Sequence, residues 1–139
     1  MLCGLEIAGD EGLSGHSDAD VATHAVIDAI LGAAGMGDIG ALFPDTDPAY
    51  VGASSLALLR DVVARVAAAG WRVVNVDLVI VAERPRLAAH RAEMAGLLAA
   101  ALSVGGDAVG VKATTTEGMG FEGRGEGVSA TAVCLLERA

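Results

Sequence analysis

Aromatic side chains are scarce in this 139-residue chain: Phe43, Phe121, Trp71 and Tyr50 are all it has. A core filled by Ala, Val and Leu gives little volume per residue, and chains of this kind gain stability by burying further surface between copies. Lysine is scarcer still, with Lys112 alone, and the formal charge is −9. That balance excludes nonspecific binding to nucleic acid. Phosphorylated small molecules stay open, because helix ends, backbone amides and a divalent cation hold phosphate where basic side chains are few. Cys3 and Cys134 are too few and too far apart for a disulfide framework, so two small core thiols in a reducing compartment are expected. No uncharged apolar run of about 18 residues occurs. The longest strongly apolar segment, Val73–Ala82, contains Asp77, and no membrane span is expected. The chain opens on no basic segment followed by an apolar one, so no secretory signal is expected. Neither G-x-x-x-x-G-K nor a Rossmann glycine pattern is present. The 53% apolar content predicts an ordered globule, and the length predicts one domain over residues 1–139.

What is present is concentrated in Gly15–Gly40, GHSDADVATHAVIDAILGAAGMGDIG, followed at once by ALFPDTD. The pattern predicts a histidine-bearing loop, a helix over about Asp18–Ala34 and an acidic turn. Ser17 is the expected cap, with Asp20 at the third helical position as its reciprocal acceptor. Asp18 and Asp20 suit the positive helix end. Asp20, His24 and Asp28 recur at i, i+4 and i+8, which places them on one face. The stripe Val21, Ala22, Ala25, Val26, Ala29, Ile30 and Ala33 is expected to face a core.

Around this stretch, Leu2–Ile7 reads as a short strand and Ala8–Gly15 as a connection. Gly35 and Gly37 are expected to terminate the first helix. Asp38–Ala53 reads as a long irregular segment of the length that serves a site. A second helix is predicted over about Ser54–Ala69, with Leu56, Leu59, Val63 and Val66 at helical spacing. Trp71–Val81 is a β-branched strand whose largely apolar character suggests cover on both sides. Ala82–Leu87 is a turn held by Pro85, and a third helix follows over about Ala88–Leu102, showing Met94, Leu97, Leu98 and Ala101. Strands are expected at Ala108–Ala113 and Val128–Leu136, separated by the glycine-rich loop Thr114–Gly127. The order predicts an α+β (α/β) sandwich, a mixed β-sheet with helices packed on one face.

His16 and Ser17 at a helix N-terminus suit an anion, since free amides gather there; a loop histidine beside a cap is the plainer reading. His24 could ligate a metal with partners from elsewhere, with an Asp orienting its ring, or be a core histidine satisfied by Asp. Asp38, Asp45 and Asp47 crowd a loop stiffened by Pro44 and Pro48. They suit sugar hydroxyls or a cation, and equally suit capping and turns. Thr114, Thr115, Thr116 and Glu117 directly follow a strand and pair hydroxyls with a carboxylate, a sensible cradle for diphosphate with Mg²⁺. Arg124 within GFEGRGEG is placed for an anion. The residues alone support metal-assisted phosphate chemistry, or phosphate binding, in a small α/β oligomer.

The combination HSDADVATHA, GDIGALFPDTDP and VKATTTEGMGFEGRGEG resembles the 2-C-methyl-D-erythritol 2,4-cyclodiphosphate synthase family, in order and over essentially the whole chain. The resemblance implies a cytoplasmic homotrimer with active sites at subunit interfaces, acting in the non-mevalonate isoprenoid pathway. It implies cyclisation of a cytidine-diphosphate-linked substrate, 4-diphosphocytidyl-2-C-methyl-D-erythritol 2-phosphate, with release of CMP. It also implies Zn²⁺ (or another divalent transition metal) and Mg²⁺ (or Mn²⁺) as cofactors, and neither nucleic acid nor membrane as partner. On this resemblance His24 is a zinc ligand and Glu117 the ligand of the second cation. His16 and Thr115 stabilise the transition state, and Ser17 shares the substrate-contacting loop with His16. Asp38 and Gly40 touch the sugar portions. Phe43, Pro44, Asp45, Thr46 and Asp47 form the methylerythritol-binding turn. Ala82, Pro85, Arg86 and Leu87 belong to the cytosine pocket, Thr114 joins Thr115 at the diphosphate, and Phe121 and Arg124 lie near the trimer axis and the substrate-facing loop.

One departure matters. The family's first strand leads into an Asp-x-His element that completes the zinc site, and no Asp-x-His stands upstream of Leu2–Ile7 here. The expectation is a natural chain that starts before Met1. The competing expectations are a short trimeric relative that binds cytidine nucleotides or isoprenoid diphosphates without turnover, and a metal arrangement completed by other ligands.

Overall fold

The protein is described here by a computed structural model that covers residues 1–7 and 19–139. Its frame is a sheet ordered β2-β1-β3, with β1 (Trp71–Val81) in the centre, β2 (Val109–Thr114) parallel to it and β3 (Ser129–Arg138) antiparallel. Alternation sets the faces: Val73, Val76, Leu78 and Ile80 are buried, while Asn75 and Asp77 are exposed. Val73 and Val76 share a face despite their odd spacing because the ladder with β3 shifts between Val73 and Asn75, a bulge that absorbs one residue. Two of the β3 positions facing the core, Ala130 and Ala132, are small, and a helix packs against this strand.

That helix is α1 (Val21–Ala33); the others on the same side of the sheet are α3 (Ser55–Ala68) and α4 (Arg91–Leu102), while α2 (Ile39–Leu42) and α5 (Gly120–Gly123) are single turns in loops. α3 begins where its cap chemistry says it should, with Ser54 Oγ accepting from Ala57 N, and it ends before Gly70 at φ +91. The core is aliphatic: Ile27, Ile30 and Leu31 of α1 and Leu59 of α3 meet Leu78 and Ile80 of β1 and Met94, Leu98 and Leu102 of α4, all fully buried. Each such side chain contributes about 1.5–3 kcal/mol by leaving water. With Phe43 the one aromatic in this core, the volume is filled by branched aliphatics, as the composition requires.

Three expectations are corrected. Leu2–Ile7 does not form a strand. Leu2 and Leu5 exchange both backbone hydrogen bonds at 2.9 Å, and Cys3 and Gly4 turn the chain between them at φ +52 and +76. This is a two-residue reversal of the kind a second-position glycine favours. The helix starts at Val21, and its cap is Asp20, not a residue inside the first turn. The Asp20 carboxylate, wholly buried, accepts from Thr23 N (2.9 Å) and Thr23 Oγ1 (2.7 Å) and also from Cys3 N (2.9 Å) and Gly4 N (2.7 Å). One side chain thus clasps the tight turn to the helix start. The buried stripe of α1 is accordingly Ala22, Thr23, Val26, Ile27, Ile30 and Leu31, and Ala33 is exposed. Finally, the described residues cover the sheet on one face only. The other shows Thr131, Val133 (67% exposed) and Leu135 (55% exposed), beside an Asp77–Lys112 ion pair at 3.0 Å.

Candidate active site

α1 carries two polar side chains toward the segment that follows it. Asp28, exposed, accepts from Ile39 N at 2.8 Å, which ties the start of α2 back to α1. Asp38 caps the same turn through Ala41 N at 2.8 Å. Anchored twice, the chain leads through Gly40 to Phe43, which is buried, meets Tyr50 edge-on at 5.2 Å between centroids and has the Arg65 guanidinium 5.8 Å from its ring centre. Asp47 caps the next turn, Pro48–Tyr50, through Ala49 N. These anchors enclose a cavity of about 320 Å³. His24 and Leu58 form its helical walls, Ile39 and Gly40 one rim, and Phe43, Pro44, Asp45 and Tyr50 the other.

Of the residues expected at the sugar end, the cavity therefore gathers His24, Gly40, Phe43, Pro44 and Asp45. Asp38 and Asp47 stand in the same segment as caps, and Thr46 is exposed between them. His16 and Ser17 lie outside the described residues. The idea that Asp20 or Asp28 orients the His24 ring does not hold, since Asp20 clasps the N-terminal turn and Asp28 holds Ile39. Ser55 makes a hydrogen bond with His24 instead, its Oγ 2.9 Å from Nε2. Sequence reasoning missed Ser55, together with Ile39, Tyr50 and Leu58 as cavity residues. The available signal was a second serine just after the Ser54 cap, in an otherwise apolar helix start.

The other expected residues gather at one end of the sheet. β1 and β2 run parallel and finish level, Val81 beside Thr114, and Ala82 N donates to Thr114 O at 3.0 Å. The two connections leaving them, Ala82–Leu87 and Thr114–Gly127, therefore start side by side. The first contains a cis Arg84–Pro85 bond, buries Ala82 and Leu87, and leaves Arg86 exposed. In the second, Thr114 Oγ1 donates to Thr115 O (3.2 Å), and Thr115 Oγ1 accepts from Glu117 N (3.2 Å). Thr116 Oγ1 donates to Met119 O. Glu117 has φ +54, a left-handed backbone uncommon for a residue with a side chain, and is exposed. α5 is packed onto this turn so closely that a Cβ on Gly123 would sit 2.2 Å from Gly118 C, which only glycine allows. Arg124 makes a paired contact with Glu126, Nε to Oε1 at 2.8 Å and Nη2 to Oε2 at 3.1 Å, and this bond raises its pKa above the ordinary value. Phe121 is 45% exposed beside it.

The cavity at His24 contains none of the sheet-end residues among its lining. Among the described residues, no group of three or more His, Cys, Asp or Glu side chains is disposed to hold a metal ion. One imidazole is short of the three protein ligands of a catalytic zinc site, so the described donors do not by themselves fit zinc. Glu117 is a different case, because a single carboxylate together with substrate phosphates is an ordinary Mg²⁺ site. No helix among the described residues is long and apolar enough to cross a membrane.

Comparison with known proteins identifies the family. The model of the YgbB family matches residues 1–137. A 2-C-methyl-D-erythritol 2,4-cyclodiphosphate synthase from Methylococcus capsulatus is 58% identical over 138 residues, covering 99% of this chain and 87% of that one. A bifunctional enzyme IspD/IspF from Anaeromyxobacter sp. is 60% identical over 138 residues, 99% of this chain but only 36% of its own length. The chain thus spans about a third of the bifunctional relatives it matches and most of the shorter ones. Among solved structures, bifunctional IspDF from Campylobacter jejuni superposes with a TM-score of 0.96 at 40% identity, covering 100% of this chain and 38% of that one. The CDP-bound form of a 2C-methyl-D-erythritol-2,4-cyclodiphosphate synthase does so with 0.90 at 40% identity, over 99% and 89%.

Proposed function

We propose a function from one premise: this chain belongs to the YgbB family, that of the 2-C-methyl-D-erythritol 2,4-cyclodiphosphate synthases. In this reading it converts 4-diphosphocytidyl-2-C-methyl-D-erythritol 2-phosphate into the 2,4-cyclodiphosphate and CMP. An oxygen of the 2-phosphate attacks the β-phosphorus, the bond from that phosphorus to the oxygen bridging to CMP breaks, and CMP leaves with that oxygen. The nucleophile is tethered to its target, so the protein needs no nucleophilic side chain; it has to fold the substrate until the two phosphates meet.

The observation that carries the proposal is the division of the site. The cavity, with the stiffened turn Phe43–Asp47, would take the methylerythritol end. There Gly40 and Asp45 of the lining, with Asp38 and Thr46 of the same segment, would offer acceptors and backbone to hydroxyls, and Ser17 and His16 would contact the same end of the substrate. The sheet end would take the other half, with Ala82, Pro85, Arg86 and Leu87 around the base and Thr114 and Thr115 on the diphosphate. Thr115 Oγ1 already accepts from Glu117 N, so its own proton is left to donate to a phosphoryl oxygen as charge develops. Thr114 has its proton on Thr115 O and would have to turn its hydroxyl to reach phosphate. Glu117 would hold Mg²⁺, which when bound offsets diphosphate charge. His24 would contribute one ligand to zinc.

Because the two halves stand apart in one copy, a complete site is proposed to form between copies, in a homotrimer. Two features support this: the uncovered apolar sheet face at Val133 and Leu135, and Glu83 Oε2 beside the base-binding turn, buried with no hydrogen-bond partner among the described residues. A buried oxygen of that kind calls for a donor. Phe121 and Arg124 would then lie near the trimer axis. The reaction is placed in the cytoplasm, where two free thiols are at home.

The test is CMP formation from the purified substrate with Mg²⁺ and Zn²⁺ present, alongside equilibrium binding of CDP. Turnover abolished by His24→Gln with the assembly intact is the expected result. CDP binding without CMP release would replace the enzyme by a binding relative, and neither binding nor release would end the proposal.

A further inference from the structure

We propose that Asp28 is a positioning residue for the substrate: from α1 it grips the backbone of Ile39 and so fixes the cavity rim at Ile39 and Gly40 against the wall made by His24. The inference rests on the reading of that cavity as the substrate site, and it gives a function to the last member of the series Asp20, His24, Asp28.

The connection from α1 to α2, Ala34 to Asp38, does not by itself dictate where the chain arrives. Gly35 has φ +67 and Gly37 φ +89, in conformations that glycine adopts freely. Gly35 N to Gly32 O at 3.1 Å and Met36 N to Leu31 O at 2.9 Å close the end of α1. Beyond them, Met36, Ile39 and Leu42 pack partly buried against the core. Such apolar contact is non-directional and leaves the backbone of the rim free to shift. The bond from Ile39 N to Asp28 Oδ1, at 2.8 Å, is directional and charge-assisted.

His24 and Asp28 stand one turn apart on the same face of α1, so the cavity wall and the carboxylate that holds the rim belong to one rigid helix. Asp38 takes Ala41 N at 2.8 Å, a local bond that shapes the turn. The Asp28 bond reaches across 11 residues and places that turn relative to His24. Asp28 is not among the residues that line the cavity, whereas Ile39 and Gly40 are. It therefore acts on a substrate through them and not by touching it.

The test compares the whole chain with Asp28→Ala and Asp28→Asn, by steady-state kinetics on 4-diphosphocytidyl-2-C-methyl-D-erythritol 2-phosphate and by hydrogen exchange at the Ile39 amide. Asp28→Ala is expected to raise KM and to speed Ile39 exchange, each by about fivefold, the worth of one net hydrogen bond. kcat should stay within about twofold, since a rim that holds sugar hydroxyls contributes binding common to ground and transition states. Asparagine keeps a carbonyl oxygen for Ile39 N and loses only the charge, so Asp28→Asn should recover most of both effects. An Asp28→Ala variant with wild-type KM, or a fall in kcat alone, overturns the proposal. So does Asp28→Asn as impaired as Asp28→Ala, which would make the charge itself the working feature. A wild type that releases no CMP ends the cyclase reading separately; calorimetric binding of the same substrate then replaces KM. Equal Ile39 exchange in wild type and Asp28→Ala sinks the positioning role whether or not the chain turns over.

Discussion

Replacing Asp20 by alanine removes a side chain that hydrogen-bonds the N-terminal turn to the start of α1, and the structure allows the cost to be worked out. The helix loses its cap at Thr23 N, about 1 kcal/mol. The backbone amides of Cys3 and Gly4 lose their acceptor, at roughly 1–3 kcal/mol each where water cannot replace it. Cys3 N is in a buried bond and Gly4 N in a partly buried one, so the lower half of that range suits Gly4. A total of about 4 kcal/mol follows. For 139 residues this lowers the melting midpoint by about 14 °C. Asp20→Asn keeps one carbonyl oxygen but turns an amide toward the donors, and should fall near half that loss. Urea unfolding followed by circular dichroism measures both, at several protein concentrations because association adds to apparent stability. Amide exchange at Cys3 and Gly4 should accelerate in parallel. An Asp20→Ala variant within about 1 kcal/mol of the parent would refute the reasoning, since that is no more than the cap alone is worth.

Gly4→Ala should destabilise by about 2 kcal/mol or more, because φ is +76 and the new Cβ would fall 2.1 Å from Leu56 Cδ1; equal urea midpoints would count against the tight turn. Burial, and after it the charge of Asp20, raise the pKa of the Cys3 thiol above its ordinary value of 9.0. A raised folded value means that its contribution is complete below the unfolded thiol's pKa and is lost as pH rises above it. Stability should therefore fall more steeply above pH 9.0 in the wild type than in Cys3→Ala, and parallel curves would sink this reading. Glu117→Gln should weaken Mg²⁺-dependent CDP binding by roughly tenfold, measured by calorimetry, and an unchanged Mg²⁺ dependence would remove Glu117 from the cation site. Leu135→Lys puts a charge on the uncovered sheet face and should shift sedimentation toward monomer while the circular dichroism stays native; an unaltered assembly would place the interface elsewhere.

What could be read without coordinates was local. The β-branched run from Trp71 to Val81 is a strand with those ends, and Ser54 with Gly70 bounds α3 almost to the residue, because capping and glycine termination are settled within a turn or two of chain. The acidic segment after α1 was legible as a long connection stiffened by prolines, and the structure sets part of it around the cavity at His24. Partner choice was not legible. Asp20 reaches Cys3 across 17 residues and His24 reaches Ser55 across 31, and no periodicity encodes which polar atoms will face each other once helices pack. The apparent strand at Leu2–Ile7 gave way to a turn because a buried carboxylate supplied acceptors for two successive amides, an arrangement that exists only after α1 has docked. β1 read as covered on both sides because its alternate residues are also apolar, yet which face receives helices depends on the connections and on the small side chains of β3. Sequence determined the elements and the chemistry available to them; packing decided which of those groups meet.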